Sequence, residues 1–306
     1  MTMARANGKT LRRSAEQLAK SWPALLVEAD RVAATVVQGV HGRRRVGMGE
    51  AFWQFRAYQA GDSASLIDWR QSAKRQKTFV RENEWEAAQS VWIWRDGSAS
   101  MRWRSATDLP GKIERANVLS VALASLLVRG GERVALLGDG RPPQAGRSML
   151  ERLALALADP GYPGPSLPPA LNLPRFASLV LIGDFLSPLA EIDACLTGFA
   201  QRGALGHVLA IADPAEEDLP YRGRVRFFGL EKETPLLLER VEDLKPDWRR
   251  RLDLRHVAIR AIAHKLGFTF SRHRTDKPAE TALLALYGAL AGEASAIKAG
   301  LGSQRV

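Results

Sequence analysis

Asp96, Ser98 and Ser100 stand at alternate positions in Val91-Trp92-Ile93-Trp94-Arg95-Asp96-Gly97-Ser98-Ala99-Ser100-Met101, directly after a strand-length run from Val91 to Arg95. One carboxylate and two hydroxyls are hard oxygen ligands of the kind that suit Mg2+, which holds octahedral geometry and keeps several waters. Such a set carries too little negative charge to satisfy the ion fully, and so leaves a position for a carboxylate from another molecule. Asp and Ser also cap turns and helices routinely, and the spacing alone leaves that plainer reading open. A second acid ends a second apolar run, since Leu179-Val180-Leu181-Ile182-Gly183 is followed by Asp184-Phe185-Leu186-Ser187-Pro188. In open α/β sheets ligands bind at the carboxyl ends of strands, which is where both acids fall.

The elements that must position these residues follow from hydrophobic periodicity. From Val91 onward, strand-length apolar runs alternate with helix-length amphipathic segments, the pattern of repeated βαβ units around a mostly parallel sheet with helices on both faces. Strands are predicted over Val91 to Arg95, Arg133 to Gly138, Ser178 to Gly183, His207 to Ile211 and Arg224 to Gly229. Helices are predicted over Lys112 to Arg129, Ser148 to Ala158, Pro188 to Arg202, Pro246 to Leu266 and Pro278 to Ala291. Asp139-Gly140 suggests a tight turn into a short edge strand near Arg141 to Gln144. Pro160 to Pro174, with six prolines and two glycines, reads as a surface connection within the domain. Phe52 to Tyr58 and Thr78 to Trp85 are strand-like. The resulting division is a helical lead-in over 1–28, a small N-terminal β extension over 29–90 and the main α/β domain over 91–306.

Composition restricts the function classes. The 306 residues are 46% hydrophobic and 25% charged, values of a folded globular chain. No apolar stretch approaches the length of a membrane span and no secretory signal is read at the start, so the expected location is the cytoplasm, without membrane insertion. A single cysteine, Cys195, leaves no internal disulfide or cysteine-based zinc cluster and reads as a small core residue. No His-Glu-x-x-His, Gly-x-Ser-x-Gly or Gly-Lys-Ser/Thr loop is present, so the chain is not expected to be an enzyme. The five histidines, at 41, 207, 256, 264 and 273, are scattered and read as packing or surface residues.

Asp-x-Ser-x-Ser after the first strand and an Asp after a later one resemble the metal-ion-dependent adhesion site of von Willebrand factor A domains. That family completes the set with a threonine ahead of a helix. No Thr lies between Thr107 and Thr197, and the matching place is Gly146-Arg147-Ser148-Met149-Leu150, where Ser148 offers a similar hydroxyl. The resemblance therefore implies a Rossmann-type von Willebrand factor A-like fold and a Mg2+ site of Asp96, Ser98, Ser100, Asp184 and Ser148.

Further motifs narrow it. Gly47-Met48-Gly49-Glu50-Ala51-Phe52, Arg56-Ala57-Tyr58-Gln59-Ala60-Gly61-Asp62, Ile67-Asp68-Trp69, Ser72-Ala73-Lys74 and Val80-Arg81-Glu82, with Asp213-Pro214, Glu217 and Tyr287, are similar to the bacterial domain of unknown function 58 family over roughly residues 40 to 290. That resemblance implies a non-enzymatic adaptor working with a MoxR-type AAA+ ATPase in the maturation of other proteins. Mg2+ at the rim loop would then be completed by an acidic protein ligand. From the residues themselves, Gly61-Asp62 is read as a turn, Asp68 as an ion-pair partner of Arg56, and Trp69 as a packing residue.

Two rival readings use other features. The net charge of +11, with Arg43 to Arg45 and Arg249, Arg250, Arg251, Arg255 and Arg260, allows a basic nucleic-acid-binding protein. Trp248, Leu252, Ile259, Ile262 and Leu266 recur at helical spacing, however, so those arginines coat the outer face of a packed helix. A Mg-dependent phosphohydrolase built on Asp96 and Asp184 is the remaining alternative.

Overall fold

The computed structural model describes residues 26–37, 52–58, 67–74, 78–83, 90–159, 164–175, 177–230 and 234–290. The chain forms two compact units, one made of residues 1–39 and 89–306, the other of residues 40–88.

In the larger unit a five-stranded sheet is built from β3 (Ser90–Arg95), β4 (Arg133–Leu136), β5 (Ser178–Gly183), β6 (Leu205–Ala212) and β9 (Phe268–Arg274), in the order β4-β3-β5-β6-β9. Every pairing in it is parallel. Parallel strands need long crossovers, and the helices that supply them bury both faces of the sheet. This is why β3 and β5 read as continuous apolar runs. All of β5 is buried, and so is all of β3 after Ser90. Side chains alternate between faces. Trp92, Trp94, Leu179, Leu181, Val208, Phe268 and Phe270 share a core with Ile192, Leu196 and Phe199 of α5 (Leu189–Ala200) and with Ile259 and Ala263 of α7 (Lys245–Lys265). Val91, Ile93, Val180 and Ile182 are buried too, and α3 (Lys112–Arg129) lies against β3, β4 and β5. α4 (Arg147–Ala158) packs beside α3.

A mixed α/β chain with a parallel sheet between helices is thus what the periodicity indicates, with two changes of membership. Arg224 to Gly229 does not join the sheet: β7 (Val225–Phe227) pairs antiparallel with β8 (Leu236–Leu238) as a separate hairpin. The fifth strand is β9, which lies between the two last predicted helices, where no strand is predicted. Its Phe268, Phe270 and His273 are buried while Thr269 and Arg272 are exposed. That is the half-covered alternation of an edge strand, masked in sequence by the two arginines and the histidine that close it. The Asp139-Gly140 turn is present, with Gly140 at φ 69°, and Val134 and Gln144 exchange backbone hydrogen bonds of 2.8 and 2.9 Å.

Helix α1, over 26–37, belongs with the sheet and not with an extension beginning at residue 29. Ala29, Val32, Ala33 and Val36 form a buried i, i+3, i+4, i+7 stripe. Asp30 Oδ1 accepts hydrogen bonds from Ser125 Oγ and Arg129 Nη2, each at 3.0 Å. Most of the lead-in over 1–28 lies outside the described residues. α8, over 279–290, buries Ala279, Ala282, Leu283, Leu286 and Leu290.

In the smaller unit, β1 (Phe52–Ala57) and β2 (Phe79–Asn83) pair antiparallel, as the strand-like patterning there implies. The short α2 (Trp69–Ser72) precedes β2, and Ser72 Oγ accepts the Phe79 amide at 2.9 Å. Trp69, expected to pack, is 69% exposed. The Arg56 side chain and the Gly61-Asp62 turn lie outside what is described. Among the described residues no helix is long and apolar enough to cross a membrane.

Candidate functional site

The carboxyl ends of β3 and β5 are adjacent, because Arg95 pairs with Ile182 in the parallel register. Asp96 and Asp184 therefore leave the sheet side by side. The Asp96 amide donates to Ile182 O at 2.8 Å, which prolongs the ladder by one residue before the chain turns. Gly183 makes this approach possible. A Cβ placed there would stand 2.8 Å from the Asp96 Cβ and 3.0 Å from its Oδ2, so a side chain at 183 would expel Asp96.

Four of the five residues singled out in the sequence converge. Asp96 Oδ1 accepts the Ser98 amide at 2.8 Å, which closes the Asx turn. The Ser98 and Ser100 hydroxyls are 3.0 Å apart, and Ser100 Oγ donates to Asp184 Oδ2 at 2.6 Å. With the Ser100 proton committed to Asp184, the Ser98 hydroxyl is the donor of the serine pair. Asp184 Oδ1 accepts the Leu186 amide at 3.2 Å. The plain turn reading of these residues is met by this arrangement, which also brings together the oxygens of the ligand reading.

Ser148 is placed apart from them. Gln144 pairs with Val134 near the start of β4, so the chain has already returned toward the amino end of that edge strand when α4 begins at Arg147. Ser148 lies exposed there, whereas Asp96 and Asp184 leave the carboxyl ends of the two strands next inward. A serine before a helix matched the expected pattern in sequence, but the reversal at Asp139-Gly140 carries that helix start to the wrong end of its strand.

Two further side chains that spacing does not reveal join the cluster. Lys112, the first residue of α3, is 0% exposed, and its ammonium donates to Asp184 Oδ2 at 3.0 Å and to Glu216 Oε1 at 2.5 Å. Glu216 is set by the short helix α6 (Pro214–Asp218). There the Asp213 amide donates to Glu216 Oε2 at 2.8 Å and the Ala215 amide to Asp213 Oδ1 at 2.8 Å, a reciprocal cap. The other Asp213 oxygen, Oδ2, accepts the Ser105 amide at 2.9 Å. Lys112 did leave a signal: a cation in the first turn of a helix opposes the helix dipole, so it needs carboxylates nearby.

Electrostatically the two aspartates are unequal. Asp96 is 0% exposed, its Oδ2 has no hydrogen-bond partner, and its pKa is pushed up to about 6. Burial is the main cause; hydrogen bonding from Ser98 and from the Asp184 amide opposes it, and the Asp184 charge adds to it. For Lys112, burial alone would pull the pKa down, but the Glu216 and Asp184 carboxylates outweigh it and hold the ammonium above the usual lysine range.

The backbone beyond Asp184 is strained. Phe185 has φ 51°, uncommon for a bulky residue, yet its side chain is fully buried. Arg255 of α7 reaches under this turn, donating from Nε to Phe185 O at 3.2 Å and from Nη2 to the carbonyls of Phe185 and Ser187. The other α7 arginines are partly committed as well. Arg249 pairs with Asp218 at 3.3 Å, Arg250 with Asp247 at 3.6 Å, and Arg260 lies 5.6 Å from the Phe270 ring centroid.

The donors present are of the type a divalent cation takes, although the Lys112 ammonium already occupies Asp184 Oδ2. Asp96 Oδ2 is a buried carboxylate oxygen without a partner, and beside the Asx turn stand two hydroxyls and a second carboxylate, all hard ligands. Among the described residues no group of three or more acidic, histidine or cysteine side chains is placed to hold a metal ion, so any ion here rests on two carboxylates, two hydroxyls and water.

These features define a mixed α/β protein with a buried, partly charge-compensated polar cluster at the carboxyl rim of a parallel sheet. The family described as "Protein of unknown function DUF58" matches residues 54–257, well over half of the chain, and the chain belongs to that family. No curated protein matches it. Among solved structures, it is loosely similar to an aerotolerance-related membrane protein from Bacteroides fragilis carrying multiple mutations to serines, at 17% identity and a TM-score of 0.39 over 67% of this chain and 100% of that one. The hypothetical protein BatB from Bacteroides thetaiotaomicron is 16% identical, with a TM-score of 0.35 over 68% of this chain and 100% of that one. An uncharacterised membrane-spanning protein from Vibrio fischeri is 13% identical, with a TM-score of 0.19 over 72% of this chain and 100% of that one.

Proposed function

We propose that this chain is a non-enzymatic interaction adaptor with a von Willebrand factor A-like sheet domain, whose rim binds an acidic protein ligand through Mg2+. It works with a MoxR-type AAA+ ATPase in maturing other proteins. The observation that carries this reading is the unpartnered, fully buried Asp96 Oδ2, set beside the Ser98–Ser100–Asp184 chain of hydrogen bonds. Asp96, Ser98, Ser100 and Asp184 hold the ion, which when bound supplies an open coordination position for a carboxylate. The chain's own part is to keep those oxygens fixed: the Asx turn orients Asp96, and Ser100 locks one Asp184 oxygen. The ATPase partnership rests on the family resemblance.

The test is co-purification of the full-length protein with a MoxR-type ATPase and its clients, in Mg2+ or chelator, for the wild type and Asp96→Ala. Because an AAA+ ATPase itself uses Mg-nucleotide, the comparison with the variant decides. Loss of clients in Asp96→Ala and in chelator is expected, and retention of the same partners by the variant removes metal-mediated docking.

A further inference from the structure

The rim contains a cation of its own. Lys112 Nζ, fully buried, is 3.0 Å from Asp184 Oδ2, the oxygen that also accepts the Ser100 hydroxyl at 2.6 Å. That oxygen has its lone pairs spoken for. The other side of the ammonium is held by Glu216 Oε1, whose partner oxygen is fixed on the Asp213 amide. Hydrogen bonds thus run without a break from Ser98 through Ser100, Asp184 and Lys112 to Glu216. Asp96 Oδ2 stands outside the run, buried and, among the described residues, without a hydrogen-bond partner.

We propose that Lys112 is a tethered competitor of the divalent cation at this rim: its ammonium occupies Asp184, and the ion binds well only when that contact is given up. This rests on the reading of the rim as a cation-dependent docking site. Two arguments support it. A divalent ion drawing on Asp184 while Lys112 stays in place meets a positive charge a few ångströms away in a water-poor setting, where repulsion is screened least. The ammonium also has somewhere to go, because Glu216 is a second carboxylate already bonded to it. Release of Asp184 therefore costs Lys112 one of two partners and does not leave a buried charge bare. A docking site with such a built-in rival holds its ion weakly at rest and fills when a ligand adds its own carboxylate, so ion and ligand bind together.

The test uses the full-length protein, with Mn2+ titration followed by electron paramagnetic resonance and Mg2+ as competitor, for wild type, Lys112→Gln and the double variant Lys112→Gln/Glu216→Gln. The double variant removes one positive and one negative charge, so the net charge of the rim is unchanged. It also decides the matter if the single variant does not fold. Tightening of Mn2+ binding by about tenfold or more is expected in both variants. Equal affinity in all three proteins overturns the competition while leaving the docking site in place. Tightening in the single variant alone traces the effect to overall charge and likewise overturns it. Absence of Mn2+ binding in every protein defeats the cation-dependent reading itself, and this inference with it.

Discussion

Asp96 and Asp184 occupy equivalent places, one residue beyond neighbouring strands, and their surroundings differ sharply. Asp184 is bonded by Ser100, Lys112 and the Leu186 amide, and its turn is braced by Arg255. Asp96 spends one oxygen on its own Asx turn and keeps the other free, at the cost of a pKa near 6. Full satisfaction marks the residue that holds the rim together. Incomplete satisfaction of a buried charge is costly to the fold, and it makes Asp96 the residue on which the proposed docking role turns.

The comparison breaks most readily at Lys112. Lys112→Ala leaves the Asp184 and Glu216 carboxylates without their shared cation and is expected to cost about 3–5 kcal/mol in urea unfolding at neutral pH. A loss well under 1 kcal/mol would mean that Asp184 does not depend on it.

Asp96 gives a smaller effect of opposite sign. Its folded-state pKa of about 6 lies above the ordinary 3.8, so the folded chain holds that proton more tightly than the unfolded one. The resulting stability is complete below pH 3.8 and is lost as the pH rises through about 6. Asp96→Asn is therefore expected to unfold later than wild type at pH 7.5, by about 1–3 kcal/mol, with the advantage shrinking as the pH approaches 4. Taking the difference between the two proteins at each pH cancels the buried histidines. His207 and His273, pushed down to about 4 mainly by burial, act the other way, favouring the folded chain above pH 6.5 and ceasing to do so as the pH falls through about 4. A pH-independent difference would show that Asp96 is not the strained member of the pair.

Arg255→Lys is the mildest change. It keeps the charge but loses the planar fork that serves two carbonyls, and a loss of about 1 kcal/mol is expected. If the Asp184 turn depends on the fork, amide hydrogen exchange at Leu186 will also accelerate; unchanged exchange there would make the clamp incidental.

The sheet was legible because strands buried on both faces are written as unbroken apolar runs, as in Leu179 to Ile182. β9 was not, since an edge strand covered on one face and closed by Arg272, His273 and Arg274 resembles a helix end and a polar loop. At the rim, Asp96, Ser98, Ser100 and Asp184 could be found because each follows its strand directly in sequence. Lys112 and Glu216 could not be linked by spacing, standing 104 residues apart and meeting through the fold. Ser148 shows the opposite failure: the local pattern of a hydroxyl before a helix was right, but position along the strand depends on a turn whose reach sequence does not specify.

The Arg255 fork also makes Phe185 a joint shared by two segments 70 residues apart. Sliding α7 along its axis must either snap the grip on the Phe185 and Ser187 carbonyls or drag the neighbouring carboxylate with it, so displacement of that helix is geared to the oxygen pattern at the rim.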